Sequence, residues 1–153
     1  MSNEKIVTVS ALETQKEGQN LARQILAAGP WQKALILALI GELGAGKTTF
    51  LQGFSMGLGI EEVVNSPTFV ILKRFKIQGV RFKNFYHIDC YRLEDAEEIL
   101  DLGFREVIAN SENIVAIEWP QKISSLLPKD AIKIVFAHDT VNQRSLNIEK
   151  NEL

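Results

Sequence analysis

The chain has 153 residues and a formal net charge of −2, so its overall charge gives no reason to expect a polyanionic partner. The longest apolar run covers residues 34–40, which is far shorter than the about 20 residues that a membrane-spanning helix needs. A single cysteine, Cys90, excludes an internal disulfide and a multi-cysteine metal site. These bounds favour one globular domain over residues 1–153, located in the cytoplasm and without membrane contact.

Helical and strand-like patterns alternate along the chain, which is typical of an α/β protein. Ser10 and Glu13 have the spacing of a capping box, and Gln78-Gly79 favours the turn of a hairpin. We therefore expect a three-layer α/β fold with helices on both faces of a mixed sheet that includes this antiparallel hairpin. In chain order the predicted elements are strand 6–9, a helix from Ser10 that stops at Gly29-Pro30, strand 34–40, a helix from Thr48 to about Gly57, strands 68–77 and 80–89, helices 94–100 and 104–109, and strands 114–117, 131–136 and 144–149.

Residues 41–48, Gly-Glu-Leu-Gly-Ala-Gly-Lys-Thr, match the phosphate-binding loop pattern G-x-x-x-x-G-K-[ST]. The predicted strand before the loop and the predicted helix after it supply the context that this loop requires. Its glycines let backbone N–H groups surround phosphates, and the helix N-terminus adds further unpaired N–H groups. In this pattern Lys47 binds the β- and γ-phosphates and the Thr48 hydroxyl binds Mg²⁺. The motif predicts a P-loop NTPase fold that binds a nucleoside triphosphate.

Hydrolysis also needs an acidic group near the metal ion and a group that orients water. Asp89 and Glu118 each follow a predicted apolar strand, so both are expected at the carboxyl edge of the sheet. The strand before Glu118 is the more apolar one, which favours a central position. Which carboxylate is the principal metal ligand stays open, and either one could instead be a solvated strand end or a turn cap.

Four motifs in order resemble those of the TsaE (YjeE-type) family of bacterial tRNA threonylcarbamoyladenosine biosynthesis ATPases. They are the loop at 41–49, Ser-Pro-Thr-Phe at 66–69, His-Ile-Asp-Cys-Tyr-Arg at 87–92 and Glu-Trp at 118–119. The resemblance covers residues 10–146. It implies an ATPase that uses ATP and Mg²⁺, does not itself modify the nucleoside, and acts with the proteins TsaD and TsaB in tRNA modification.

The resemblance also implies residue roles. Thr68 would sense the γ-phosphate from a switch-like segment, although a proline-led turn into a strand explains that segment equally well. Glu118 would hold Mg²⁺, Asp89 would support the metal or position water, Trp119 would lie near the nucleotide, and Thr14 would approach the adenine. The candidate catalytic residues are thus Lys47, Thr68, Asp89 and Glu118; the candidate metal ligands are Thr48, Asp89 and Glu118; and the candidate nucleotide-binding residues are Thr14, Glu42, Leu43, Gly44, Ala45, Gly46, Lys47, Thr48, Thr49 and Trp119. The residues themselves assign no role to His87, Tyr91 or Arg92, although Arg92 could neutralise phosphate charge or form a surface salt bridge with Glu94 or Asp95.

A basic hairpin lies at residues 73–83, although the chain as a whole is slightly acidic. A solvated strand edge explains such charges, because lysines protect exposed strands from aggregation. The functional interpretation is a docking surface for an acidic protein or for tRNA phosphates. The hairpin carries Lys73, Arg74, Lys76, Arg81 and Lys83, interleaved with Phe75, Phe82 and Phe85.

Two other functions fit a phosphate-binding loop. A small-molecule or nucleoside kinase needs an arginine-rich lid, and the stretch from Gln121 to Asp139 contains no arginine. A GTPase-like switch usually needs an Asn-Lys-x-Asp loop, which residues 142–145 do not supply. No arginine finger is evident in the chain, so we expect slow hydrolysis until a partner supplies the missing group.

Overall fold

Seven strands and four α-helices make up the described part of the chain, which covers residues 2–65, 71–79 and 81–150 of a computed structural model. The strands are β1 Ser2–Thr8, β2 Leu35–Ile40, β3 Leu72–Lys76, β4 Asn84–Asp89, β5 Asn113–Glu118, β6 Ile132–Thr140 and β7 Gln143–Lys150. The helices are α1 Ala11–Ala27, α2 Lys47–Gly57, α3 Glu97–Leu100 and α4 Phe104–Ala109, and a 3₁₀ turn follows β5 at Pro120–Ile123. Within these ranges no helix combines the length and apolarity that crossing a bilayer would require.

All seven strands form one mixed sheet in the order β1-β7-β6-β2-β5-β4-β3. β2 pairs in parallel with β5 and β6, and β4 pairs in parallel with β5. The remaining pairs are antiparallel, including the expected β3–β4 hairpin, in which Phe75 lies opposite Phe85. The predicted fold class is confirmed. The hairpin strands are shorter than predicted, and residues 68–70 of the first one lie outside the described ranges.

Alternate residues of the central strands point to opposite faces of the sheet, because side chains of a strand have a period of two. One face, here called the α1–α2 face, packs Leu37, Leu39, Phe85 and Ala116 against the buried sides of α1 and α2. The opposite α3–α4 face packs Ile36, Ala38, Ile88, Val115 and Ile117 against α3, α4 and the 3₁₀ turn. Burial on both faces explains why β2 and β5 are apolar almost throughout.

Helices α1 and α2 approach each other closely through glycine. A Cβ atom added at Gly53 would lie 1.9 Å from the backbone oxygen of Gln15, and one added at Gly18 would lie 2.2 Å from that of Phe50. Helix α1 begins as predicted, since Ser10 Oγ accepts the N–H of Glu13 at 3.1 Å. The close approach at Gly18 and Gly53 brings α1 against the first turns of α2, directly behind the phosphate-binding loop.

Candidate functional site

The predicted phosphate-binding loop connects the end of β2 to the start of α2, and α2 begins at Lys47. Gly44 and Gly46 have φ angles of 76° and 104°, a left-handed conformation that glycine adopts without steric cost. The unpaired N–H groups of the first turn of α2 therefore face the loop, which is the arrangement that binds phosphate. Of the loop residues, Glu42, Leu43 and Gly44 are exposed, Ala45 and Lys47 are buried, and Gly46, Thr48 and Thr49 are half-buried.

Lys47 lies among the predicted acidic groups. Its side chain is 4% exposed, and Nζ donates a hydrogen bond to the Gly41 carbonyl at 2.6 Å. Burial lowers the pKa of Lys47, and the carboxylates of Glu118, Asp89 and Glu42 oppose that shift. The loop lysine and both strand-end carboxylates therefore occupy one site, although they are far apart in the sequence.

Asp89 and Glu118 are the last residues of neighbouring parallel strands and lie opposite each other in the β4–β5 register. Glu118 is 3% exposed, and its Oε2 is 2.7 Å from Nε2 of His87. Asp89 Oδ1 accepts the N–H of Tyr91 at 3.0 Å. Both carboxylates thus lie at the carboxyl edge of the sheet, where open α/β folds bind their ligands.

These side chains offer oxygen ligands of the kind that Mg²⁺ prefers. Mg²⁺ is commonly held by one or two carboxylates together with substrate phosphates and water. Thr48, Asp89 and Glu118 can supply such a set in combination with a bound nucleotide. In the described ranges no group of three or more His, Cys, Asp or Glu side chains could hold a metal ion without that help. The chemistry of the residues therefore fits Mg²⁺ bound jointly with a phosphate.

Trp119 forms one wall around Lys47. The Nζ atom of Lys47 lies 4.1 Å from the centroid of the Trp119 ring. The ring of Tyr91 packs against the Trp119 ring, with 5.1 Å between the two centroids. Trp119 has φ 56° and ψ 49°, and it is the one non-glycine residue with positive φ in the described ranges. Such a backbone costs free energy for an L-residue and is often found at functional sites.

Thr14 and Arg144 lie on the other side of the loop. The Thr14 hydroxyl is 2.8 Å from that of Thr8, and its methyl carbon would be 3.8 Å from a Cβ atom at Gly46. Arg144 Nη2 donates to the Gly44 carbonyl at 3.5 Å, whereas its buried Nε has no hydrogen-bond partner in the part of the chain that the structure describes. Thr14 thus supports the loop from α1, and its predicted approach to adenine remains a prediction.

Arg144 is a candidate phosphate-binding residue that sequence reasoning missed. No local motif marks it, and it lies 100 residues from Gly44 in the chain. The pairing of β7 with β6, and of β6 with the loop strand β2, carries this side chain to the loop. Arg144 is therefore the arginine to test, and the expectation that a partner supplies the missing group remains a prediction. Thr68, the predicted γ-phosphate sensor, lies outside the described residues.

The basic hairpin presents charge but no aromatic surface. Phe75, Phe82 and Phe85 are at most 1% exposed, so they belong to the core and cannot stack on bases. Arg81 donates to the Ala28 carbonyl and Lys83 Nζ donates to the Gly79 carbonyl at 2.6 Å. Lys73, Arg74 and Lys76 are exposed along edge strand β3. The hairpin can attract phosphates or acidic groups, but its described aromatic rings cannot recognise bases.

The fold and the loop define a protein of the P-loop NTPase fold class, which is consistent with nucleotide binding. The model of the family "Threonylcarbamoyl adenosine biosynthesis protein TsaE" matches residues 9–146. The chain belongs to the TsaE family, which confirms the resemblance seen in the sequence motifs.

Two curated relatives and one solved structure show how close this similarity is. The chain is 42% identical to the tRNA threonylcarbamoyladenosine biosynthesis protein TsaE of Bacillus subtilis over 111 residues, 72% of the chain and 66% of that protein, just under two thirds of its length. It is 37% identical to the protein of that name from Borreliella burgdorferi over 120 residues, 78% of the chain and 83% of the relative. The crystal structure of Bacillus subtilis YdiB superposes with a TM-score of 0.69 at 28% identity and covers 96% of this chain and 84% of that one.

Proposed function

We propose that this chain binds ATP with Mg²⁺ and hydrolyses it to ADP and phosphate as one component of tRNA threonylcarbamoyladenosine modification. One observation carries the proposal: the first turn of α2, with Lys47 and Thr48, lies beside the strand ends that bear Asp89 and Glu118. The Lys47 pKa reflects that arrangement, because both carboxylates act on it. The names of the curated relatives supply the biological process.

Each residue has a definite task in this proposal. Lys47 exchanges its hydrogen bond to Gly41 for the β- and γ-phosphates, and Arg144 adds positive charge beside Gly44. Thr48 and Glu118 would hold Mg²⁺, which when bound neutralises phosphate charge. Asp89 supports the metal or orients the attacking water. Thr68 would sense the γ-phosphate. The remaining loop residues and Trp119 surround the nucleotide, and Thr14 approaches the adenine.

The family suggests where the chain acts. We propose TsaD and TsaB as its protein partners, with the cytoplasm as the location and residues 1–153 as one domain. ATP is favoured over GTP because the guanine-binding loop pattern is missing from residues 142–145. Exposed Lys73, Arg74 and Lys76 would attract an acidic partner surface or tRNA phosphates.

The first test is phosphate release from ATP by the purified chain, alone and after addition of TsaD and TsaB. We expect slow release that rises with the partners and disappears in Lys47→Ala and in Glu118→Gln. Turnover by the isolated chain as fast as in the mixture would contradict dependence on partners. Transfer of phosphate to a small acceptor, without any response to the partners, would favour the kinase alternative instead.

A further inference from the structure

His87 is a buried polar residue with an incomplete set of hydrogen bonds. It is 0% exposed on β4 and lies opposite Ala116 in the β4–β5 register, two residues before Glu118. Its Nε2 is 2.7 Å from Glu118 Oε2, while Nδ1 has no hydrogen-bond partner among the described residues. The strand period of two places His87, Asp89 and Glu118 on the α1–α2 face, towards the loop helix.

The missing partner of Nδ1 indicates where the ring carries its proton. A buried N–H group without an acceptor costs more free energy than a bare lone pair, so a hydrogen on Nε2, which faces Glu118, fits this site better than one on Nδ1. In that form His87 donates to Glu118 Oε2. Glu118 is 3% exposed, and a buried carboxylate requires such donors.

Packing alone does not explain this residue. The other β4 residue in the core of this face is Phe85, and an apolar side chain at position 87 would fill space without burying an unpaired nitrogen. A histidine at this position therefore carries a cost that only its bond to Glu118 offsets. The bond fixes one oxygen of that carboxylate and leaves the second for a metal ion or its water.

We propose that His87 is a positioning residue: it orients Glu118 for Mg²⁺ by holding Oε2. This inference rests on the proposed function, because the metal role of Glu118 belongs to that proposal. In this proposal His87 acts through Glu118 and not by its own contact with nucleotide or metal. Substitution of His87 should therefore reduce the gain in nucleotide affinity that Mg²⁺ provides, and should not change the affinity measured without Mg²⁺.

The test measures the Kd of a fluorescent, non-hydrolysable ATP analogue with Mg²⁺ and with EDTA. In His87→Leu we expect the gain from Mg²⁺ to shrink about tenfold, while affinity in EDTA changes less than about twofold, since one charge-assisted hydrogen bond is lost. His87→Gln, whose amide N–H can still donate, should keep most of the gain. In a double-mutant cycle, His87→Leu should add no further loss to Glu118→Gln.

The same two strands supply a matched control. Asn84 Nδ2 donates to Asn113 Oδ1 at 3.0 Å, at the opposite end of β4 and β5 from the site. Asn84→Ala removes a similar inter-strand hydrogen bond and should leave the Mg²⁺ gain unchanged. Full retention of the gain in His87→Leu, or equal weakening with Mg²⁺ and with EDTA, would overturn the role of His87.

Other outcomes address the proposed function. A wild-type chain that binds no nucleotide would overturn both proposals, whereas Glu118→Gln with an intact Mg²⁺ gain would overturn the metal role on which His87 depends. Nuclear magnetic resonance of the two histidines, His87 and His138, tests the geometry without any change at position 87. His138→Gln assigns the signals, and we expect the His87 proton on Nε2. A proton on Nδ1 alone would overturn the inference.

Discussion

The two faces of the sheet are built from the same strands but have different contents. The α1–α2 face holds Lys47, His87 and Glu118 among its buried side chains, whereas the α3–α4 face buries apolar residues, Cys90 and, at the end of β5 away from the site, Asn113. Consecutive residues such as Ile117 and Glu118 therefore belong to different environments. Alternation along a strand lets one segment contribute to stability on one face and to chemistry on the other.

The sharpest way to test this division is Lys47→Ala. Loss of the charged hydrogen bonds to phosphate should weaken binding of ATP with Mg²⁺ by about 100-fold. Isothermal titration calorimetry measures the Kd. Lys73→Ala, which removes an exposed lysine of β3, is the control and should bind like the wild type. Equal affinities in the two variants would place the nucleotide elsewhere.

Gly53→Ala tests the contact between α1 and α2 that supports the loop. The added Cβ would overlap the Gln15 backbone at 1.9 Å, so the helices must separate. We expect a loss of about 3 kcal/mol in the free energy of unfolding, or roughly 6–12 °C in Tm. Met56→Ala truncates an exposed side chain of the same helix and should change little. An unchanged Tm in Gly53→Ala would show that the helices are not in such close contact.

Ile117→Val tests the α3–α4 face next to the proposed metal ligand. Ile117 is 0% exposed, and removal of one buried methyl group should cost about 1 kcal/mol in urea unfolding. Nucleotide affinity should stay within about twofold, because the side chain points away from the site. If the free energy of nucleotide binding instead fell by the same amount as the free energy of unfolding, the two faces would be energetically coupled and not independent.

The thiol of Cys90 tests the α3–α4 face without any mutation. Burial, followed by the charge of Asp89, raises the pKa of its thiol from 9.0 to about 12. We expect the folded chain to resist alkylation at pH 8 and the urea-unfolded chain to react at once. Between pH 9 and about 12 the unfolded chain releases this proton while the folded chain retains it, so stability falls as pH rises. Rapid alkylation of the folded chain would show that this face is open.

The sequence allows local features to be predicted well. Helix α4 has the predicted bounds, and β5, with Glu118 at its end, lies inside the sheet as its apolar composition indicated. The phosphate-binding loop needs only adjacent residues, so its motif was sufficient to predict a strand, a loop and a helix in that order.

Long-range pairing explains what the sequence did not reveal. His87 reaches Glu118 only because β4 pairs in parallel with β5 in one register, and a shift by one residue would turn it to the other face. Arg144 reaches the loop because β7 pairs antiparallel with β6 and β6 pairs in parallel with β2, a strand that is distant in the chain. Neither relation leaves a local pattern, since strand order and register are set by packing of the whole sheet.

The left-handed backbone at Trp119 limits how this position can change during evolution. Glycine and asparagine adopt that backbone most easily, yet neither offers an aromatic ring to cover Lys47. Phenylalanine or tyrosine would restore a ring, but neither adopts the left-handed backbone as easily as glycine or asparagine. A substitution at position 119 therefore either keeps the free-energy cost of the left-handed backbone or loses the contact between an aromatic ring and Lys47. Descendants of this chain should keep the residue unless the loop lysine and the following 3₁₀ turn change with it.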